Sequence, residues 1–226
     1  MILQRDIIIQ QYFQEVLLVS NTRSCTYQEV RCARDMSSFK KDESYIDQVG
    51  SEIQFVPPHR YAIVSPGIIR GAYPNLMNFD FLIRRNLKTI LNFTPHSPTA
   101  DLMEFCDEQS CSLVHFVVEL MAPMDESLAQ TFADALKIVC PKGIDPGLAS
   151  TSSTFIHCLD GRRITGIFVL CIRRLQQWTA LSAISEYWRF HTYSRSALIQ
   201  QSDVNKVSVE MDQFVDFTLR LYNEQD

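Results

Sequence analysis

Ile156-His157 closes a β-rich run, Cys158-Leu-Asp-Gly-Arg-Arg-Ile-Thr-Gly166 follows, and a helical pattern then begins. A glycine-bearing loop between a strand and a helix N-terminus is an anion cradle. Successive backbone N–H groups point inward, and the helix dipole adds partial positive charge. A cysteine at the mouth of such a loop is expected to have a lowered pKa, and its thiolate can attack phosphorus. The same pattern also suits a buried cysteine at a strand end, which behaves as a small hydrophobe.

The elements that must position this loop are readable from about Gln54 onward. Short β-rich runs at 61–64, 67–70, 88–93, 113–118 and 154–157 alternate with amphipathic stretches near 76–86, 100–110 and 126–139. Such alternation predicts an α/β layer structure with a central, mostly parallel sheet flanked by helices. Residues 140–153 are dense in turn formers and read as a loop. Helical periodicity over 165–178, 181–190 and 206–222 predicts a helical C-terminal layer.

Residues 1–52 lack this rhythm and are read as an N-terminal extension, a helix followed by a polar linker, ahead of a domain over 53–226. The Met1-to-Ser20 stretch carries Arg5, Asp6, Glu15 and several Gln, so it reads as an amphipathic helix and not a signal peptide.

The 226-residue chain is 46% hydrophobic and 21% charged, enough apolar surface to offset the entropy lost on folding, which excludes a wholly disordered chain. Twenty-one basic against 26 acidic side chains leave a net charge of −5 and no global electrostatic reason to bind nucleic acid. Any anion site must be local. No apolar run reaches the roughly 18 residues of a membrane span. Seven cysteines, an odd number with no C-x-x-C pair, argue against a disulfide framework and make the cytoplasm the expected compartment.

Flanking motifs stand in a fixed order: Phe55-Val-Pro-Pro58, Gly67-Ile-Ile-Arg-Gly-Ala-Tyr-Pro74, Asn78-Phe-Asp-Phe-Leu82, Leu87-Lys-Thr-Ile-Leu91, Ile156-His-Cys158, Cys171-Ile-Arg-Arg-Leu-Gln-Gln-Trp178 and Glu186-Tyr-Trp-Arg-Phe190. Across about residues 54–195 the chain resembles the plant and fungal atypical dual-specificity phosphatases, a cysteine-dependent branch of the tyrosine phosphatase superfamily. The resemblance implies that family's three-layer α/β fold and hydrolysis of phosphotyrosine proteins or inositol pyrophosphates through a cysteinyl thiophosphate intermediate. No metal or cofactor is expected.

The family loop reads H-C-x-x-G-x-x-R-[ST]-G. By this resemblance Cys158 matches the nucleophile, and His157 the residue that helps orient it. Gly161 lets the backbone close on phosphate, Thr165 faces the thiolate and Gly166 starts the helix. The expected phosphate-binding set is His157, Leu159, Asp160, Gly161, Arg162, Arg163, Ile164 and Thr165.

The chain departs from the pattern at its most informative position, where Ile164 replaces the phosphate-gripping arginine. Isoleucine can neither fork onto two phosphate oxygens nor stabilise charge on a transferring phosphoryl group. By analogy with lost arginine fingers the cost is about 10³ to 10⁵ in rate. Arg163, folding inward, or Arg162, reaching from outside, are the available substitutes.

A general acid for the leaving oxygen is sought in Glu119-Leu-Met-Ala-Pro-Met-Asp-Glu126, with Asp125 ahead of Glu119 and Glu126. Asp125 and Glu126 equally suit the N-terminus of the following helix. Arg189 and Arg195 are candidates for the pocket border. His59, His96, His115 and His191 show no ligand spacing.

Three functions compete. One is a weakened cysteine phosphatase. Another is a pseudophosphatase that binds a phosphorylated ligand or assembles with related phosphatase-like subunits. The last takes Cys158-Leu-Asp-Gly-Arg-Arg163 as the C-x-x-G-x-R loop of rhodanese-type sulfurtransferases, with Arg163 in register.

Overall fold

In the computed structural model, which describes residues 55–141, 153–191 and 201–224, the strand ending in Cys158 sits at the centre of a five-stranded sheet. The strands are β1 (Ala62–Ser65), β2 (Ile68–Ala72), β3 (Leu87–Thr94), β4 (Ser112–Val117) and β5 (Ser153–Cys158), in spatial order β1-β2-β5-β3-β4. β2, β5, β3 and β4 are mutually parallel, and β1 alone runs antiparallel, beside β2. Cys158 stands in register with Ala72 on β2 and Phe93 on β3. It therefore lies at the carboxyl ends of the parallel strands, where open α/β sheets place their ligands.

Two helices, α1 (Leu76–Ile83) and α2 (Ala100–Glu108), supply Leu82, Leu102, Phe105 and Cys106 to the core on one face of the sheet, against Ile69, Ile90 and Phe155. On the other face α3 (Glu126–Val139), α4 (Arg163–Leu175), α5 (Ala180–His191) and α6 (Gln201–Glu224) pack with Leu91, Phe93, Ile156 and Cys158. The three layers follow from the alternation of strand side chains: Phe155 buries toward α1 and α2, Ile156 and Cys158 toward α3 to α6. The expected α/β architecture is the one that forms.

Two helices end sooner than their periodicity suggests, and neither end carries a glycine. In α2, Ser110 takes a φ of 51°, Ser110 N–H donates to Asp107 O and Cys111 N–H donates to Cys106 O. In α4, Gln177 takes a φ of 63°, Gln177 N–H donates to Arg174 O and Trp178 N–H donates to Arg173 O. Both are Schellman caps with an ordinary residue in the left-handed position that glycine normally marks.

Arg173 explains two of the ordered motifs. Its guanidinium forks onto Glu186, Nε to Oε2 at 2.6 Å and Nη2 to Oε1 at 2.9 Å, while Nη1 donates to Val64 O at 2.6 Å. This half-buried network ties α4 to α5 and to β1. Among the described residues no helix is long and apolar enough to cross a membrane. The expected N-terminal helix and linker, most of the expected 140–153 loop, and Arg195 lie outside the described residues.

Candidate active site

Three consecutive carbonyls of the loop after β5 are held from outside. Leu159 O accepts from Tyr73 N–H at 3.2 Å, Asp160 O from Arg60 Nη1 at 2.9 Å, and Gly161 O from Arg70 Nη2 at 2.7 Å. With the carbonyls turned outward, neighbouring N–H groups turn in toward Cys158, whose thiolate receives the Gly161 and Thr165 N–H groups. Gly161 makes the turn at a φ of 68°, and a Cβ there would lie 2.8 Å from Ala72 N and from Gly71 C and O. Glycine is required on both counts. Gly166 serves packing instead, since a Cβ would meet Tyr187 Cδ2 at 2.8 Å, while its N–H bond to Arg162 O opens α4.

Cys158 is 1% exposed. Burial pushes its thiol up, and the Asp160 carboxylate pushes the same way. The Thr165 hydroxyl and the two backbone N–H groups pull down without winning. The lowered pKa expected of a loop cysteine is therefore corrected: desolvation of the thiolate outweighs the donors aimed at it. Thr165 itself is fully buried, with its hydroxyl acting on the sulfur.

Ile164 is fully buried in the core cluster that holds Cys158, Val118 and Phe168. The side chain at the arginine position of the loop thus serves packing and presents no donor. Arg163, the first residue of α4, has a buried Nη1 without a partner, and burial lowers the pKa of its guanidinium. Arg162 stands at the N-cap of α4. Its N–H donates to Asp160 Oδ1 at 2.9 Å, and the same Oδ1 lies 3.6 Å from Cys158 Sγ. The Leu159 side chain is half-exposed at the loop's outer turn.

His157 occupies the opposite face of the sheet from Cys158. Its ring stacks on Phe155 at 5.3 Å, meets the Tyr73 ring edge-on at 5.1 Å, and is fully buried. Burial lowers its pKa to about 3, so it is neutral. The expectation that it binds phosphate is corrected by that placement: strand alternation sends its ring away from the cradle. Asn92, buried and in register with His157 and His115, extends a polar row across this face.

Asp125 caps α3, its Oδ1 accepting the Leu128 N–H at 3.0 Å, and Glu126 begins the same helix. Capping accounts for Asp125, Glu126 lies in the first helical turn where a carboxylate suits the dipole, and Glu119 is exposed after β4. Arg189 is exposed on α5 with its guanidinium 5.2 Å from the Phe190 ring centroid.

The loop gathers residues that their sequence positions did not single out. Arg70, 1% exposed on β2, places its guanidinium 4.1 Å from the centroid of Phe190, and burial lowers its pKa to about 10. The signal was a charged residue inside the apolar run Gly67-Ile-Ile-Arg70. His59, Arg60 and His191 also face the loop. Burial lowers both imidazoles, and Arg162 and Asp160 act on each in opposite directions.

A thiol at the carboxyl end of a central parallel strand, in a glycine-turned loop that leads into a helix, fits the class of cysteine-dependent phosphatases. The model of the tyrosine phosphatase family matches residues 55–215. This chain belongs to that family, in its plant and fungal atypical dual-specificity branch.

It is 31% identical over 171 residues to "Putative tyrosine-protein phosphatase OCA1" of Debaryomyces hansenii, covering 70% of this chain and 83% of that one. It is 29% identical over 159 residues to inositol diphosphatase DSP4 of Arabidopsis thaliana, covering 70% and 77%. The solved core catalytic domain of the PP-IP phosphatase SIW14 from S. cerevisiae, in complex with citrate, shares the fold. Its TM-score is 0.51 at 24% identity, covering 71% of this chain and 97% of that chain. A family match spanning residues 55–215 leaves the sulfurtransferase alternative without support.

Proposed function

We propose that this chain is a cysteine-dependent phosphatase with impaired turnover, acting on phosphorylated proteins or inositol pyrophosphates. The Cys158 thiolate would attack phosphorus and expel the leaving oxygen with its electron pair, and water would then hydrolyse the thiophosphate. The loop N–H groups, those of Gly161 and Thr165 among them, would hold the phosphoryl oxygens, and the Thr165 hydroxyl would support the thiolate. Arg163, with its buried and unpartnered Nη1, is the substitute we assign for the missing guanidinium. The observation that carries the impairment is the complete burial of Ile164 in the apolar core. Relatives named for tyrosine-protein phosphatase and inositol diphosphatase activity support both substrate classes. The free cysteines among the described residues support a cytoplasmic location. Residues 1–52 are read as an appended extension.

A second reading, a pseudophosphatase that binds phospho-ligands or assembles with related phosphatase-like subunits, is favoured by the upward push on the Cys158 thiol.

The test is phosphate release from an inositol pyrophosphate and a phosphotyrosine peptide by wild type, Cys158→Ser, Arg163→Ala and Ile164→Arg. The expected result is slow wild-type turnover, abolished in Cys158→Ser and reduced at least tenfold in Arg163→Ala. Because Ile164 is core, thermal melting of Ile164→Arg accompanies its assay. No wild-type turnover, with gain in a folded Ile164→Arg, selects the pseudophosphatase.

A further inference from the structure

The Asp160 carboxylate stands inside the loop, and its position can be compared with that of a phosphoryl oxygen. In a near-attack arrangement sulfur lies about 3.3 Å from phosphorus, and with a P–O bond of about 1.5 Å each equatorial oxygen falls about 3.1–3.6 Å from the sulfur. Those oxygens must also accept inward N–H groups of the loop. Asp160 Oδ1 meets both conditions, lying 3.6 Å from Cys158 Sγ and accepting the Arg162 N–H at 2.9 Å.

An aspartate that accepts the N–H two residues on forms a common local turn. The sulfur contact is not part of that turn, and it brings the carboxylate to the nucleophile.

We propose that Asp160 is a resident anion of the phosphate cradle: its carboxylate holds the place of one phosphoryl oxygen and must be displaced for a phosphorylated ligand to bind. This deepens the phosphatase reading by naming a residue that sets the site's anion affinity. It also separates two roles for a loop carboxylate. A general acid must reach the leaving oxygen, which lies on the far side of phosphorus from the sulfur in an in-line displacement, about 5 Å from Sγ. At 3.6 Å from Sγ, Asp160 stands on the near side.

The groups that face the carboxylate fit a held anion. From the 58–60 turn comes His59, from α4 the Arg162 N–H, and from α5 His191. Asp160 acts electrostatically on both imidazoles and on the Cys158 thiol. Buried Arg70 stands behind the loop on the Gly161 carbonyl. A tethered anion competes at an effective concentration of order millimolar or above. A free phosphate therefore meets a site already partly neutralised, and the carboxylate adds to the upward push that burial exerts on the thiol.

The experiment measures binding of inorganic phosphate by calorimetry to wild type, Asp160→Ala and Asp160→Asn, each checked by thermal melting. Alongside it, the pH profile of Cys158 alkylation by iodoacetamide is followed on the Cys158 peptide by mass spectrometry. The expected result is a phosphate affinity at least tenfold tighter in Asp160→Ala. Asp160→Asn, which keeps an acceptor for the Arg162 N–H but loses the charge, gains less. In both variants the alkylation profile moves to lower pH.

Phosphate affinity equal to or weaker than wild type in a folded Asp160→Ala overturns the proposal, since the carboxylate then organises the loop instead of filling it. If Asp160→Ala does not fold, an unchanged affinity and unchanged alkylation profile in Asp160→Asn overturn it equally. Both readouts are independent of turnover. Tighter phosphate binding in variants that release no phosphate supports the resident anion while counting against the phosphatase reading.

Discussion

The outer and inner surfaces of the Cys158 loop have been treated differently. Outside, Tyr73 N–H, Arg60 and Arg70 take three successive carbonyls, and Gly161 fits against the β2 backbone as only glycine can. Inside, isoleucine stands in the arginine position, a carboxylate sits beside the sulfur, and burial pushes the thiol up. The shape of a phosphate cradle is thus set by donors behind it, and the chemistry within is a separate choice of side chains. Loss of one does not entail loss of the other.

The largest expected effect comes from breaking the boundary between the two surfaces. Gly161→Ala puts a Cβ 2.8 Å from backbone atoms at a positive φ, and should cost about 3 kcal/mol in urea denaturation together with phosphate binding. A cost below about 1 kcal/mol would mean that the outer clamp does not define the loop.

The next effect sharpens the comparison from the far face of the sheet. His157 binds its proton with a pKa of about 3 in the fold against the ordinary 6.5 when unfolded. Between these values the unfolded chain holds a proton that the folded chain lacks, so stability falls as pH drops below 6.5. The loss is about 1.4 kcal/mol per pH unit, or about 2 kcal/mol by pH 5. Denaturation of His157→Phe across this range should show a shallower slope, the remainder coming in part from His59 and His191, whose pKa values are also lowered. Equal slopes in wild type and variant would remove His157 from the neutral buried row.

The smallest effect concerns Asp125. Asp125→Ala should cost about 1 kcal/mol as a lost helix cap, while Asp125→Asn retains the cap. Turnover of Asp125→Asn within about twofold of wild type leaves Asp125 a capping residue. A loss of about 10²-fold would assign the leaving-group proton to it.

Much of this organisation was legible in the chain. β-rich runs and helical periodicity located the strands and helices, and the spacing from Cys158 to Gly166 located the loop. Helix ends were overrun where Ser110 and Gln177 adopt positive φ, because a Schellman cap without glycine leaves no mark in sequence. The direction of the Cys158 pKa was also missed. A local pattern shows the donors aimed at a thiolate, but desolvation depends on what α3 to α6 pack around it. Arg70 and Arg60 escaped notice for a related reason, since their partners lie far away along the chain.

That distance has a kinetic consequence. Arg70 and Gly161 are separated by 91 positions and Arg60 and Asp160 by 100, so the contacts shaping the loop are among those of highest sequence separation. Long-range closure is entropically costly and tends to slow folding. Local helices can form while Cys158 still lies in open chain, and on the ribosome the sulfur has no cradle until β2 and β5 have met. Shielding of that thiol from solvent is therefore a report on completed folding, available even in a variant that turns over nothing.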